Sequence, residues 1–330
     1  MEVWLHAFSF PGKVAELARQ AEAWGFTGML LADSQNLNAD IWVELALAGA
    51  TTSRLRLGPG VTNPVTRHIA VTASAACTLQ AETGGRASLG FGRGDSALAQ
   101  IGRRPVPVAE FERSLELLQG YLRGEEVQLG ATASSIRWLS ESGLAKVPVH
   151  VAATGPRTIE AAARHADGVD LSVGAELDRL RWAAGVARAG APRGLQLGAY
   201  LNVAVDPDRA AARELVRGSV AIFARFATEG APLSGLSDVT RRGIEQLASG
   251  YEHEHHGEAG AAYAQRLEDQ FIDRFAVAGP AQHVRDRLAE IAGAGIQRLI
   301  VVPGSLDAEP AAVEESNVRF ASDVLLDLLG

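Results

Sequence analysis

The sequence predicts a closed (β/α)8 barrel, an α/β TIM barrel with a helical insertion between its seventh and eighth strands. Three observations carry this. Short apolar runs alternate with amphipathic stretches of helical period along the chain. Eight runs of strand length can be counted, and several are too unbroken for a sheet with one face in water. Eight βα units favour a closed barrel with right-handed crossovers over an open doubly wound sheet.

The elements follow in order. Val3 to Ala7 is the first strand. Val14 to Trp24 has apolar residues at helical spacing, and Gly25 closes that helix. Thr27 to Ala32 is a strand ending at Asp33, and Ile41 to Ala50 a helix. Leu55 to Gly58 is the third strand, with a helix from about Ile69 to Leu79 behind it. Ala87 to Phe91 is the fourth strand, running into Gly92-Arg93-Gly94-Asp95. Val108 to Leu122 is an amphipathic helix. Residues 125–142 show no clear period and read as a connection with a short hairpin. Val149 to Ala153 is a strand, and the helix Pro156 to His165 opens on proline. Gly168 to Val173, Leu177 to Ala189 and Leu195 to Val205 supply a strand, a helix and the seventh strand. Residues of about 207–275 read as a helical insertion with one polar interruption, not as an independent domain. Pro280 to Ala292, Arg298 to Val302 and Ala311 to Leu329 complete the pattern, so residues 1–330 read as one barrel domain.

Composition bounds the function. The chain has 330 residues, 47% of them hydrophobic, with a formal charge of -8. That is a packed protein, not a disordered one. Its single cysteine, Cys77, excludes an internal disulfide, and its place in a helix reads as a small buried residue rather than a nucleophile. No apolar stretch reaches the length that crosses a bilayer, and the N-terminus lacks the features of a signal peptide. A soluble, cytoplasmic protein is expected. The acidic balance argues against nucleic acid as a partner.

Chemistry in such barrels sits at the C-terminal ends of the strands. Only Lys13 and Lys146 are lysines. Lys146 precedes its strand and so falls at the far end of the barrel, which argues against Schiff-base chemistry. The first strand offers His6 without a second histidine two residues on, so no metal site is expected. The tract His253-Glu254-His255-His256 lies in the polar interruption and reads as a solvated loop. What the mouth does offer is glycine, small residues and backbone, suited to holding a flat or anionic cofactor that carries the chemistry. The best anion site is Ala153-Thr154-Gly155-Pro156-Arg157, where a strand ends, glycine opens the turn and a helix begins. Gly90-Phe91-Gly92-Arg93-Gly94 is a weak dinucleotide signal, because it follows the fourth strand. Its glycines better suit the close approach of a planar ring.

Leu57-Gly58-Pro59-Gly60-Val61-Thr62-Asn63-Pro64 with Arg67-His68, then Gly85-Arg86, then Leu89 to Asp95, resemble the bacterial luciferase-like superfamily. So do Val151 to Arg157 with Ala166 to Val169, and Val277-Ala278-Gly279-Pro280. Within it the likeness is to the branch of methylenetetrahydromethanopterin reductase and other coenzyme F420-dependent oxidoreductases. The resemblance implies a flavin or deazaflavin in the barrel mouth and a homodimer. It also implies a non-prolyl cis peptide at Gly60-Val61 against the back of the ring. Ring-edge contacts would fall near Asp33 and Arg93-Gly94-Asp95. The phosphate would lie at Ala153 to Pro156, flanked by Val173-Gly174. Ser34 stands where the branch's sugar-phosphate dehydrogenases carry histidine, so glucose 6-phosphate is not the expected substrate.

The expected activity is F420-dependent hydride transfer to or from a small organic substrate. The rivals are an FMN-dependent monooxygenase and a flavin-binding barrel without turnover. Asp95 is the first candidate proton donor or acceptor, then Asp33, then His6. A helix N-cap is a competing or coexisting role for Asp95. Arg93, Arg103, Arg104 and Arg157 are candidate partners of an anionic cofactor tail.

Overall fold

The computed structural model describes residues 1–191, 194–227, 236–248 and 250–329. The barrel half contains β1 (Glu2–Ala7), α1 (Val14–Trp24), β2 (Gly28–Leu31), α2 (Ile41–Thr51), β3 (Arg56–Pro59), α3 (Ile69–Glu82) and β4 (Leu89–Phe91). Next come α4 (Ser96–Ala99), α5 (Val108–Leu122), the hairpin β5 (Val127–Leu129) and β6 (Thr132–Ser134), β7 (Val149–Ala153), α6 (Pro156–His165) and β8 (Gly168–Leu171). Then follow α7 (Leu177–Gly190), β9 (Gln196–Val205), α8 (Arg209–Phe226), α9 (Asp238–Ala248), α10 (Ala262–Gln265) and α11 (Asp269–Phe275). The chain ends with β10 (Val277–Gly279), α12 (Ala281–Gly293), β11 (Arg298–Val302), α13 (Pro310–Phe320) and α14 (Leu326–Leu329).

Parallel pairing runs β3-β2-β1-β11-β9-β8-β7-β4. Bridges Leu57 to Ala87 and Thr62 to Phe91 join the two ends and close the barrel. Glycine makes that closure possible, since a Cβ on Gly58 would lie 1.6 Å from the Ser88 carbonyl oxygen. The short β10 adds to the upper end of β9, at Val203 to Val205.

Period-two alternation sorts each strand's side chains. Val3 and Leu5 of β1, Met29 and Leu31 of β2, and Leu299 and Val301 of β11 pack outward under the helices. Trp4, Leu30, Tyr200, Ile300 and Val302 pack inward, in one cluster with α8 and α11. The insertion therefore caps the barrel interior instead of standing apart from it. Local signals end the helices as the sequence suggests. Gly25, at φ +95°, satisfies the last carbonyls of α1, and the Asp40 carboxylate accepts from Trp42 N–H to start α2. Among the described residues no helix is long and apolar enough to cross a membrane.

Candidate active site

One cavity opens at the C-terminal ends of the strands, lined by His6, Asp33, Gly60, Val61, Arg93, Gly94, Asp95, Ala153, Thr154 and Gly155 among others. These are the sequence candidates, gathered from five strand ends. The Gly60–Val61 peptide is cis. His6, inward-facing on β1, bonds through Nε2 to the Gly60 carbonyl at 2.8 Å. A carbonyl only accepts, so Nε2 carries the hydrogen. Burial lowers this imidazole from 6.5 to about 4, only partly offset by that bond, so it is neutral near pH 7.

The two carboxylates are also engaged. Asp33 accepts from Arg67 Nη1 at 2.7 Å, and Arg67 reaches on to Asp40 at 2.8 Å. Burial alone would lower the Arg67 guanidinium, but Asp33 and Asp40 outweigh it and hold the group above its ordinary range. Asp95 occupies the N-cap position of α4, yet its side chain makes no capping bond. It pairs instead with Arg225, a buried residue of α8 whose guanidinium stacks over Tyr251. Arg93 donates from Nε to the Val106 carbonyl at 2.7 Å.

At the other end of the cavity Gly155 is the N-cap of α6 and Pro156 its first residue. A Cβ on Gly155 would meet no atom of the described residues within 4 Å, so this end is open. The Thr154 hydroxyl donates to the Ser172 carbonyl at 3.2 Å. The structure departs from expectation nearby. Arg157 is exposed and Pro156 lies outside the lining; Thr158, one residue further round the helix, faces the cavity instead. Val173 and Gly174 also lie outside it, because Gly174 packs against the Phe275 ring; Ser172 takes their place. Arg103 and Arg104 are exposed on a loop beyond the lining.

The insertion supplies what the sequence reading missed. Ser219, Ile222, Phe223 and Phe226 of α8 form one wall, and the Phe223 ring lies 5.7 Å from that of Tyr200. Their spacing of three, four and seven places them on one helix face, and this was the signal available in the sequence. His256 corrects the solvated-loop reading of its tract. It is 5% exposed, lines the cavity, and its Nδ1 lies 2.6 Å from the Tyr251 hydroxyl. His255 stays outside, paired with Glu258. Among the described residues no cluster could hold a metal ion.

The residues fit a planar ring with a phosphate tail. The inner end is backbone and small side chains, the open N-terminus of a ten-residue helix lies to one side, and the buried Tyr200 hydroxyl has no hydrogen-bond partner among the described residues. This is the architecture of a barrel oxidoreductase whose mouth takes a cofactor. The family model described as luciferase-like monooxygenase matches residues 3–298, and the chain belongs to that family. It is 30% identical over 302 residues to the 5,10-methylenetetrahydromethanopterin reductase of Methanolobus tindarius, covering 87% of this chain and 89% of that one. Among solved structures, the coenzyme F420-dependent tetrahydromethanopterin reductase from Methanopyrus kandleri superposes with a TM-score of 0.75 at 27% identity, over 98% of both chains. An F420-dependent secondary alcohol dehydrogenase superposes with a TM-score of 0.72 at 17% identity, over 98% of both chains, and shares the fold.

Proposed function

We propose that the protein is an F420-dependent oxidoreductase that moves a hydride between the deazaflavin and a small organic substrate. The observation that carries this is the mouth itself, with glycine and backbone at Gly60–Val61 and Gly92–Gly94 and an open helix N-terminus at Gly155. The full-length likeness to an F420-dependent reductase supports it. When bound, the deazaflavin would supply a two-electron hydride centre at its C5. The chain's own residues would bind and orient it. Thr154, Gly155 and Thr158 would meet the phosphate through hydroxyls and first-turn N–H groups. Asp33 and Arg93-Gly94-Asp95 would meet the polar ring edge. His6 would hold the Gly60 carbonyl, and with it the backbone behind the ring. The ion pair Arg225 to Asp95 would tie the insertion to the β4 loop and so shape the space beside the ring.

Asp33, Asp95 and His6 each already bind a protein group, which favours positioning roles over proton transfer for all three. The homodimer expected from the resemblance is supported by exposed Val43, Leu47 and Val71 on α2 and α3.

The test is to titrate the purified protein with F420 and with FMN, following ligand fluorescence. Micromolar F420 binding with weak FMN binding supports the reading. A preference for FMN shifts it to the monooxygenase chemistry in the family's description, with oxygen uptake as the readout. Binding of neither removes the cofactor assignment.

A further inference from the structure

Around the barrel the expected cofactor contacts fill one arc. Gly155 lies beyond the end of β7, Arg93 to Asp95 beyond β4, Gly60–Val61 beyond β3 and Asp33 beyond β2. These four strands are consecutive, because β3 closes on β4. The remaining arc is β1, β11, β9 and β8, and it lines the cavity with His6, Val302, Tyr200 and Ser172. A second molecule beside the ring has this arc as its wall.

Two atoms of that arc, Tyr200 Oη and His6 Nδ1, are buried without a hydrogen-bond partner among the described residues. Tyr200 is 3% exposed and His6 6%. Native proteins seldom leave such atoms unpaired. Both residues border one point, since a Cβ on Gly60 would lie 3.1 Å from His6 Cδ2 and 3.2 Å from Tyr200 Oη. Their rings meet edge-on at 5.8 Å. Ser219 of α8, also in the lining, is already engaged. It accepts from the Asn202 amide and donates to the Val216 carbonyl, each at 3.0 Å.

The two unpaired atoms differ in sense. His6 Nε2 gives its hydrogen to the Gly60 carbonyl, so Nδ1 presents a lone pair. Burial keeps that imidazole neutral near pH 7. Burial, reinforced by Asp170 and opposed in part by Arg298, holds the Tyr200 phenol above its ordinary range, so it keeps its hydrogen. An uncharged donor beside an uncharged acceptor matches a group that both takes and gives a hydrogen bond. An alcohol hydroxyl does both. A carboxylate has no hydrogen for Nδ1, and a ketone takes only the Tyr200 bond.

We propose that Tyr200 and His6 form a subsite for the hydroxyl of a neutral alcohol substrate, Tyr200 donating to its oxygen and His6 Nδ1 accepting its hydrogen. The proposal rests on the cofactor reading for which arc is left to the substrate, but not for the pair itself.

Cyclohexanol, cyclohexanone and chlorocyclohexane serve as probes that present a hydroxyl, an acceptor alone and neither. Each is titrated into the free and the F420-loaded protein and followed by ligand-observed NMR. In Y200F the affinity for cyclohexanol relative to chlorocyclohexane should fall about tenfold, the size of one hydrogen bond, with F420 affinity within about twofold of the parent. Cyclohexanol should bind the parent more tightly than cyclohexanone does. The hydroxyl has no partner in the free fold, so Y200F should melt at or above the parent's temperature. An unchanged ratio in Y200F overturns the subsite. Cyclohexanone binding as tightly as cyclohexanol overturns the part given to His6. A lower melting temperature in Y200F assigns the hydroxyl to the fold, and a tenfold loss of F420 affinity assigns it to the cofactor; either overturns the proposal. If F420 does not bind the parent, the cofactor reading falls, and the free-protein titrations still decide the subsite.

Discussion

At the floor of the barrel, Arg298, Asp170 and His150 are at most 2% exposed, and the Arg298 guanidinium lies 4.0 Å from the Trp4 indole ring centre. At the mouth, Asp33 and Asp95 face a cavity and are paired with Arg67 and Arg225 from neighbouring elements. Both ends bury charge, and both use glycine to let neighbouring groups close in. Floor glycines are filled by the protein's own side chains. A Cβ on Gly198 would lie 2.1 Å from the Asp170 carboxylate, and one on Gly168 2.5 Å from His150. At the mouth a Cβ would likewise lie 2.7 Å from Leu30 at Gly60, 2.9 Å from Val61 at Gly92 and 2.5 Å from Leu98 at Gly94; of the lining glycines Gly155 alone has no atom of the described residues within 4 Å. The floor charges serve one another. Burial raises Asp170, but Arg298 and His150 outweigh it and hold the carboxyl below its usual range; burial and Arg298 keep His150 low. Glycine thus serves internal packing at both ends, and at Gly155 it also leaves the start of α6 open.

Arg298→Met should break the floor. It leaves Asp170 without its main counter-charge, at a cost of about 3–5 kcal/mol, read by urea unfolding. Adding Asp170→Leu should recover most of this, and cofactor affinity of the folded protein should not change.

The second effect depends on pH. His6 has a folded value near 4 against 6.5 unfolded, so the unfolded chain binds the proton first. Its contribution is complete above pH 6.5 and is lost as pH falls toward 4, on the order of 3 kcal/mol in all. Stability measured between pH 7 and 4 should fall less steeply in His6→Asn than in the parent.

The smallest stability effects sharpen the comparison most. Gly198→Ala should cost about 1–3 kcal/mol by overpacking the floor. Gly155→Ala should change stability by less than about 0.5 kcal/mol. If the anion assignment holds, it should weaken F420 binding roughly tenfold.

Much of the fold was legible in the chain because its signals are local. The helices Val14–Trp24, Val108–Leu122 and Pro156–His165 fall where periodicity and the flanking glycine and proline place them. The strand ends could be written in order, and with them His6, Asp33, the Gly60 turn, Asp95 and Thr154, all of which the barrel brings to one cavity. Sequence motifs could not say which way a helix residue turns, so Arg157 was favoured where Thr158 faces inward.

The amino-acid order by itself determined the eight strands, their helices and the glycine-lined mouth, since period, caps and turn residues act over a few positions. Tertiary structure alone decided which insertion residues reach that mouth. Arg225 meets Asp95 across 130 positions, and His256 leaves a polar tract to become a buried wall of the cavity. Contacts of that separation follow from how α8 docks on the closed barrel, and no local pattern encodes them.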